Sequence, residues 1–205
     1  MNTISINKTA RYTDTNNYND ADKLLIVLHG YGQLPYYFIR KFEELTSLGY
    51  YIIAPEGLHR FYLNGTSGRV GASWMTKEGR LDDIKDNISY LNCLYKSVNH
   101  DDKFSKKIIL GFSQGGATAS RWVNTNNILF DQCILWASVF PEDVPFPEKS
   151  NETLKYDFVV GTNDQYFSKD DIVVCINKYK ESGINSHVFN GIHDIDMHIL
   201  KQVIA

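Results

Sequence analysis

The amino-acid sequence predicts an α/β fold in which a mostly parallel sheet has helices on both faces. Six short apolar runs recur along the chain and predict strands, over 24–28, 51–54, 108–110, 132–137, 158–160 and 186–189. Stretches typical of helices lie between these runs, and this alternation is the pattern of a parallel sheet. Because 205 residues suffice for one compact core, we expect a single domain over 1–205 without a large cap.

Five helices are predicted between and after the strands, over 35–47, 81–98, 114–124, 168–182 and 195–204. The first begins at a proline, which suits the first turn of a helix. The second carries apolar residues at helical spacing. Ser168 followed by Asp170 and Asp171 is typical of a helix N-cap with an acidic first turn. A further edge strand is expected within 3–12.

The composition is that of an ordinary globular protein and carries no charge signature for nucleic acid. The net charge is -3, which gives no bulk attraction to nucleic acid or to an anionic membrane. No apolar run approaches the ~18 residues of a membrane helix, and the N-terminus lacks a signal-peptide pattern. We therefore expect a cytoplasmic protein without membrane insertion, as a monomer or a homodimer.

The three cysteines, Cys93, Cys133 and Cys175, are widely spaced and include no C-x-x-C pair. An odd number at this spacing favours reduced thiols over a disulfide framework or a zinc site. Their apolar surroundings predict that Cys93 and Cys133 are small core residues. The H-E-x-x-H pattern is absent as well, so we expect no metal site.

The segment from Gly111 to Gly115 joins the third predicted strand to a helix that begins with small residues. It has the pattern G-x-S-x-G, the nucleophile elbow of the α/β-hydrolase fold, in which a strained turn exposes a serine above the sheet. Because a five-residue pattern also arises by chance, the prediction rests on its context, which is a strand before the pattern and a helix after it. We therefore expect an α/β-hydrolase fold with Ser113 as nucleophile.

An acid and a histidine should follow this serine along the chain, because its hydroxyl needs an adjacent base. Asp164 comes directly after the fifth predicted strand, and His193 comes directly after the sixth. Loops at the carboxyl ends of parallel strands meet at one edge of the sheet. We predict Asp164 and His193 as the partners of Ser113, with Asp143 as the alternative acid.

Two backbone amides should hold the oxyanion that forms during acyl transfer. One is predicted to be that of Gln114, directly after the serine. The second is assigned to Tyr31, in the glycine-containing loop after the first predicted strand. His29 in the same loop is expected to orient the backbone.

Four motifs together resemble the phospholipase/carboxylesterase family, which includes the acyl-protein thioesterases. They are Leu28-His29-Gly30-Tyr31-Gly32, Gly111-Phe112-Ser113-Gln114-Gly115-Gly116, Gly161 to Asp164, and Gly191 to His193. The resemblance extends from about Leu24 to the C-terminus. It implies a serine esterase without cofactor that acts on carboxylic esters or thioesters, with the same triad and oxyanion residues. Gln33 departs from the family, where an acidic residue is often found.

The stretch 57–79 has no clear period and contains several glycines, which predicts a loop-rich segment over the active site. Phe61 and Trp74 in this stretch, together with Trp136, are predicted to line a pocket for a small ester or acyl substrate. The alternatives are a peptidase, a dienelactone-type hydrolase, or a ligand-binding protein of the same fold without turnover.

Overall fold

The computed structural model describes residues 2–99, 101–147 and 154–205. It contains a seven-stranded sheet and a separate two-stranded one. The strands are β1 (Tyr12–Asp14), β2 (Lys23–Leu28), β3 (Tyr50–Pro55), β4 (His59–Asn64), β5 (Ser67–Ser73), β6 (Lys106–Phe112), β7 (Gln132–Trp136), β8 (Lys155–Gly161) and β9 (Asn185–Phe189). The large sheet has the order β1-β3-β2-β6-β7-β8-β9. Its neighbours pair in parallel except β1 with β3, which confirms the predicted fold class.

The helices are α1 (Pro35–Phe38), α2 (Arg80–Val98), α3 (Gln114–Asn124), α4 (Lys169–Glu181) and α5 (Met197–Ile204). A 3-10 helix, Ile39–Leu48, continues α1, so the first predicted helix is helical throughout but mostly of the tighter form. The predicted edge strand is shorter and later than expected, because only Tyr12–Asp14 pairs with β3.

Apolar side chains cover both faces of the large sheet, as the predicted helices on both sides require. Successive side chains of β2 are buried on opposite faces: Leu24 and Ile26 belong to one core cluster, whereas Leu25 and Val27 belong to the other. This is the period of two that a strand imposes on its side chains. The central strands of the sheet are therefore buried on both faces.

The stretch 57–79 differs from the prediction, because most of it forms an antiparallel hairpin of β4 and β5. The side chains of the hairpin are largely exposed until Gly71. A hairpin with little burial on either face has no hydrophobic alternation, which explains why sequence periodicity missed it.

One cysteine prediction was also wrong: Cys133 is buried, but Cys93 is exposed on α2. In the described part of the chain, no helix is both long and apolar enough to cross a membrane. Nor do the described His, Cys, Asp and Glu side chains form a group of three or more that could hold a metal ion.

The N-terminus of α4 has the capping arrangement that the sequence predicts. Ser168 Oγ accepts a hydrogen bond from the Asp171 N–H at 3.1 Å, and Asp171 Oδ2 accepts one from the Ser168 N–H at 3.0 Å. These two reciprocal hydrogen bonds form a capping box. We expect Ser168→Ala to lower the free energy of unfolding by about 1 kcal/mol, because the substitution removes the Oγ acceptor of one bond and weakens the geometry of the other. Urea unfolding checks this. Ser182→Ala, at the other end of α4, is the matched control, and an equal loss in the control would contradict the assignment.

Candidate active site

The sharp turn between β6 and α3 carries Ser113. Its φ of 51° and ψ of -120° lie outside the regions that L-residues favour, and α3 begins at the next residue. The Ser113 N–H donates to the Trp136 carbonyl at 2.9 Å, and the Ser113 carbonyl accepts from the Gly116 N–H at 3.0 Å. Such strain persists only where the surroundings hold it, and it is concentrated at functional sites.

Glycines allow α3 to approach the sheet closely enough to hold this turn. A Cβ on Gly111 would lie 2.4 Å from the Gly116 Cα, and one on Gly115 would lie 2.3 Å from the Leu28 carbonyl oxygen. Real Cβ contacts are not this short, so no larger residue fits at either position without a shift of the backbone. The turn and the end of β2 are therefore in direct backbone contact.

Asp164 and His193, which follow β8 and β9, form a close pair. His193 Nδ1 lies 2.6 Å from Asp164 Oδ2, and the side chains are 11% and 0% exposed. The second carboxylate oxygen of Asp164 accepts from the Tyr166 N–H at 2.9 Å. A buried carboxylate on Nδ1 fixes the tautomer of the ring, so that Nε2 is the nitrogen left to act as a base.

His193 lies beside the elbow. Its ring centroid is 4.8 Å from that of Phe112, the residue before Ser113, and 4.5 Å from that of Tyr166. Among the described residues, no hydrogen bond joins Ser113 Oγ to His193. In hydrolases this contact is often long without substrate and shortens in the substrate complex.

The loop that carries Tyr31 is held by the hairpin that the sequence did not predict. The Gly32 N–H donates to the Ala72 carbonyl at 2.9 Å, and the Ala72 N–H donates to the Gln33 carbonyl at 3.1 Å. Gly71 passes so close that a Cβ there would lie 2.3 Å from the Gly32 carbonyl oxygen. No described residue accepts a hydrogen bond from the amide of Tyr31 or that of Gln114, the two predicted oxyanion donors.

His29 has both ring nitrogens engaged in the core. Nδ1 lies 2.8 Å from the Gly30 carbonyl oxygen, and Nε2 accepts from the Gly57 N–H at 3.0 Å. Complete burial lowers the pKa of the ring to about 4. His29 is therefore neutral near pH 7 and braces the backbone, as the sequence predicts, and has no nitrogen free for a base.

The side chain of Gln114 has a bracing role that the sequence did not reveal. Its Oε1 accepts from the Trp74 N–H at 3.0 Å, and its Nε2 donates to the Met75 carbonyl at 2.8 Å. The Trp74 indole N–H in turn donates to the His29 carbonyl at 2.8 Å. This chain of hydrogen bonds connects the start of α3 to the end of β5 and to the loop after β2.

Trp136 connects the two halves of the site. Its carbonyl accepts from the Ser113 N–H at 2.9 Å. Its indole N–H donates to the Asp194 carbonyl, also at 2.9 Å, directly after His193. The elbow and the histidine loop are thus held by one residue at the end of β7.

An open cavity of about 670 Å³ begins at Ser113 and Gln114. Its wall is mainly apolar and includes Met75, Ala117, Val139, Phe167 and Val174, with Arg80 and Arg121 among the polar members. Mainly apolar walls with a few polar groups are typical of small-molecule sites.

The predicted pocket residues are not part of that wall. Trp74 and Trp136 are completely buried, so they support the site without lining the cavity. The ring of Phe61 packs on Tyr31 at 4.9 Å between centroids, outside the cavity. Size and aromatic character alone did not distinguish a supporting side chain from a lining one.

Asp143, the alternative acid, has a different partner. It accepts two hydrogen bonds from the Arg121 guanidinium, at 2.7 and 2.6 Å. Hydrogen bonding to Arg121 is the main reason that the pKa of Asp143 is lowered to about 2. Two other histidine–carboxylate pairs, His59–Asp83 and His187–Asp157, do not lie in the loops at the strand ends that carry the site.

Solved structures share this fold at low sequence identity. The acyl-protein thioesterase 2 of Zea mays has a TM-score of 0.70 and 15% identity, with 95% of this chain and 96% of that chain covered. A carboxylesterase of Bacillus cereus has a TM-score of 0.67 and 15% identity, with 96% and 92% covered. A phospholipase/carboxylesterase of Dyadobacter fermentans DSM 18053 has a TM-score of 0.59 and 12% identity, with 97% and 96% covered. These matches give the chain the α/β-hydrolase fold, and they are consistent with the resemblance found in the sequence. No protein-family model and no curated protein matches it.

We expect Trp136→Phe to loosen the histidine loop, because the Asp194 carbonyl loses its indole donor. The free energy of unfolding should fall by about 1 kcal/mol, and amide exchange over residues 190–196 should become faster. Trp122→Phe, which removes an indole donor to Asn92 Oδ1, is the matched control. Faster exchange at 190–196 in both variants, or in neither, would contradict a specific hold by Trp136.

Because His29 is buried, we expect it to make the free energy of unfolding depend on pH in acid. An unfolded chain takes up a proton on histidine near pH 6.5, whereas folded His29 does so near 4. The unfolded state therefore binds more protons between these values, and stability falls as the pH is lowered through them, by roughly 2 kcal/mol at pH 5. Urea unfolding at pH 7 and pH 5 should show a smaller loss in His29→Gln than in the wild type. His198→Gln, which removes an exposed histidine, is the control, and equal losses in all three proteins would refute the prediction.

Proposed function

We propose that this protein is a serine hydrolase of the phospholipase/carboxylesterase type, which cleaves carboxylic esters or thioesters through an acyl-enzyme on Ser113. The observation that carries the proposal is the buried contact of 2.6 Å between Asp164 and His193, beside a strained turn that presents a serine. The fold shared with esterases and an acyl-protein thioesterase is consistent with it.

In the proposed mechanism, His193 Nε2 takes the proton of Ser113 as the serine oxygen attacks the acyl carbon. His193 Nδ1–H donates to Asp164, which orients the ring and stabilises the imidazolium. The amides of Tyr31 and Gln114 donate to the oxyanion, and each such donor is typically worth ~3 kcal/mol in transition-state energy. The protonated His193 then gives its proton to the leaving alcohol or thiol.

In the second half of the reaction, His193 removes a proton from water, which attacks the acyl-enzyme. The bond to the Ser113 oxygen then breaks, that oxygen takes the proton back from His193, and the acid is released. This half uses the same oxyanion donors and needs no group beyond water. No step requires a metal or an organic cofactor. The apolar cavity at Ser113 is the proposed site for part of the substrate, with its wall at Met75, Val139 and Phe167.

The bracing hydrogen bonds suit this chemistry because oxyanion donors act best when they are fixed before the reaction. Gln114 is held through its own side chain, and the Tyr31 loop is held by the β4–β5 hairpin. These contacts would keep the two amides in position without substrate. A small ester or acyl compound is the proposed substrate, and the cytoplasm remains the proposed location.

We expect Ser113→Ala to lower kcat for p-nitrophenyl butyrate about a thousandfold or more, because the nucleophile is lost. Ser120→Ala, on the helix α3 that follows the turn, is the matched control and should retain turnover. A fluorophosphonate probe should label the wild type and the control but not Ser113→Ala, since labelling needs an activated serine. Thermal unfolding of each variant verifies that the fold is kept.

Retained ester turnover in Ser113→Ala would refute the proposed nucleophile. Absence of both turnover and labelling in the folded wild type would instead favour a ligand-binding protein of this fold. A panel of esters, thioesters and peptides, run on the wild type in parallel, would separate an esterase from a peptidase.

A further inference from the structure

A second cavity, of about 550 Å³, is lined by residues next to the candidate active site and shares no lining residue with the first. Gly32 and Gln33 in its wall directly follow Tyr31. Lys41, also in the wall, pairs with Asp194, the residue after His193, at 2.8 Å. Part of its wall therefore belongs to the loop that carries one proposed oxyanion donor, and Lys41 connects that wall to the loop that carries the proposed base.

Aromatic contacts place this cavity close to the reacting groups. Phe38, which lines it, packs on Phe112 with ring centroids 5.8 Å apart, and Phe112 packs on His193. An ester has two substituents on the scissile group; one cavity begins at Ser113, and the other lies beside the Tyr31 loop and Phe38. Each substituent thus has a cavity available to it.

The second cavity is basic and has hydrogen-bond donors without a partner among the described residues. Arg69 in its wall makes no hydrogen bond or ion pair with any residue in the described ranges. Lys41 is paired with one carboxylate, that of Asp194. Gln33 uses its Oε1 to accept from the Gly30 N–H, and its Nε2 has no partner among the described residues.

The remaining wall is apolar, with Leu34, Tyr37 and Val70 beside the two cations. A guanidinium presents two parallel N–H groups that match a carboxylate, and such bidentate pairs are among the stronger hydrogen bonds. Counting Arg69, Lys41 and Asp194, the site has a net charge of +1. A single carboxylate on an apolar stem would be neutralised here, whereas a phosphate dianion would not.

We propose that the substrate of this protein is an ester or thioester that carries a carboxylate, and that this carboxylate binds Arg69 in the second cavity. The proposal rests on the proposed function and names the substrate class of that site. The cavity is preformed, because β5 is fixed to the Tyr31 loop by the hydrogen bonds between Ala72 and residues 32 and 33. Preformed sites bind with a smaller entropy loss.

The test uses two pairs of esters in which one member carries a carboxylate that the other lacks. The first pair is p-nitrophenyl valerate and mono-p-nitrophenyl glutarate, which places the carboxylate on the acyl group. The second is phenyl butyrate and 4-carboxyphenyl butyrate, which places it on the alcohol. For each pair we measure the ratio of kcat/KM for the charged ester to kcat/KM for the neutral one.

We expect Arg69→Gln to lower this ratio about threefold to fivefold for at least one pair, through KM, as suits a partly exposed ion pair. Arg60→Gln is the matched control, because Arg60 lies on the same hairpin, pairs with Glu56 and is outside the cavity. Its ratio should equal that of the wild type. The pair that responds identifies the half of the substrate that bears the carboxylate.

An unchanged ratio in Arg69→Gln for both pairs would overturn the carboxylate site, and so would an equal fall in Arg60→Gln. If the neutral esters were still cleaved and this cleavage needed Ser113, the proposed function would stand although the carboxylate site had failed. Failure of the proposed function has a different signature, since no ester of either pair would then be cleaved.

Discussion

The close approach of α3 to the sheet is the constraint on which the candidate site depends. Gly115 lies so near the end of β2 that a Cβ would meet the Leu28 carbonyl oxygen at 2.3 Å, and Gly111 lies equally near Gly116. Backbone contact at these points forces the chain through the strained Ser113 turn. It also brings the loop after β2, which carries Tyr31, next to the amide of Gln114. The positions of the proposed nucleophile and of both proposed oxyanion donors thus depend on how closely α3 packs against the sheet.

The remaining parts of the site are joined to this contact by two completely buried tryptophans and a partly buried glutamine. Trp136 connects the turn to the histidine loop, and Gln114 with Trp74 connects it to the hairpin. Indole and amide groups suit this role, because each fills core volume and also supplies a directed hydrogen bond. The indole N–H groups of Trp74 and Trp136 and the side-chain amide of Gln114 are all hydrogen-bonded, so the loops they hold have few alternative positions.

Where the sequence carries strong local signals, it predicts the structure well. The extent of α3, the cap at Ser168 and the parallel pairing of the central strands follow from glycines, a serine and apolar runs. The meeting of Asp164 and His193 was predictable as well, since both follow strands that end at the same edge. The hairpin was not, because its exposed strands bury too little to show alternation. Nor was the bracing by Trp136, whose hydrogen bond to Asp194 joins positions 58 residues apart.

The tip of the β4–β5 hairpin has a practical consequence of its own. A Cβ added at Gly65 or at Gly68 would meet no atom within 4 Å, whereas one at Gly71 would collide with the backbone of Gly32. The hairpin is therefore anchored at its base and free at its end. Exposed turns of this kind are the places where proteins accept inserted sequence. A peptide tag or a fluorophore attached between Asn64 and Ser67 would be carried at the tip of the anchored hairpin, away from the body of the molecule.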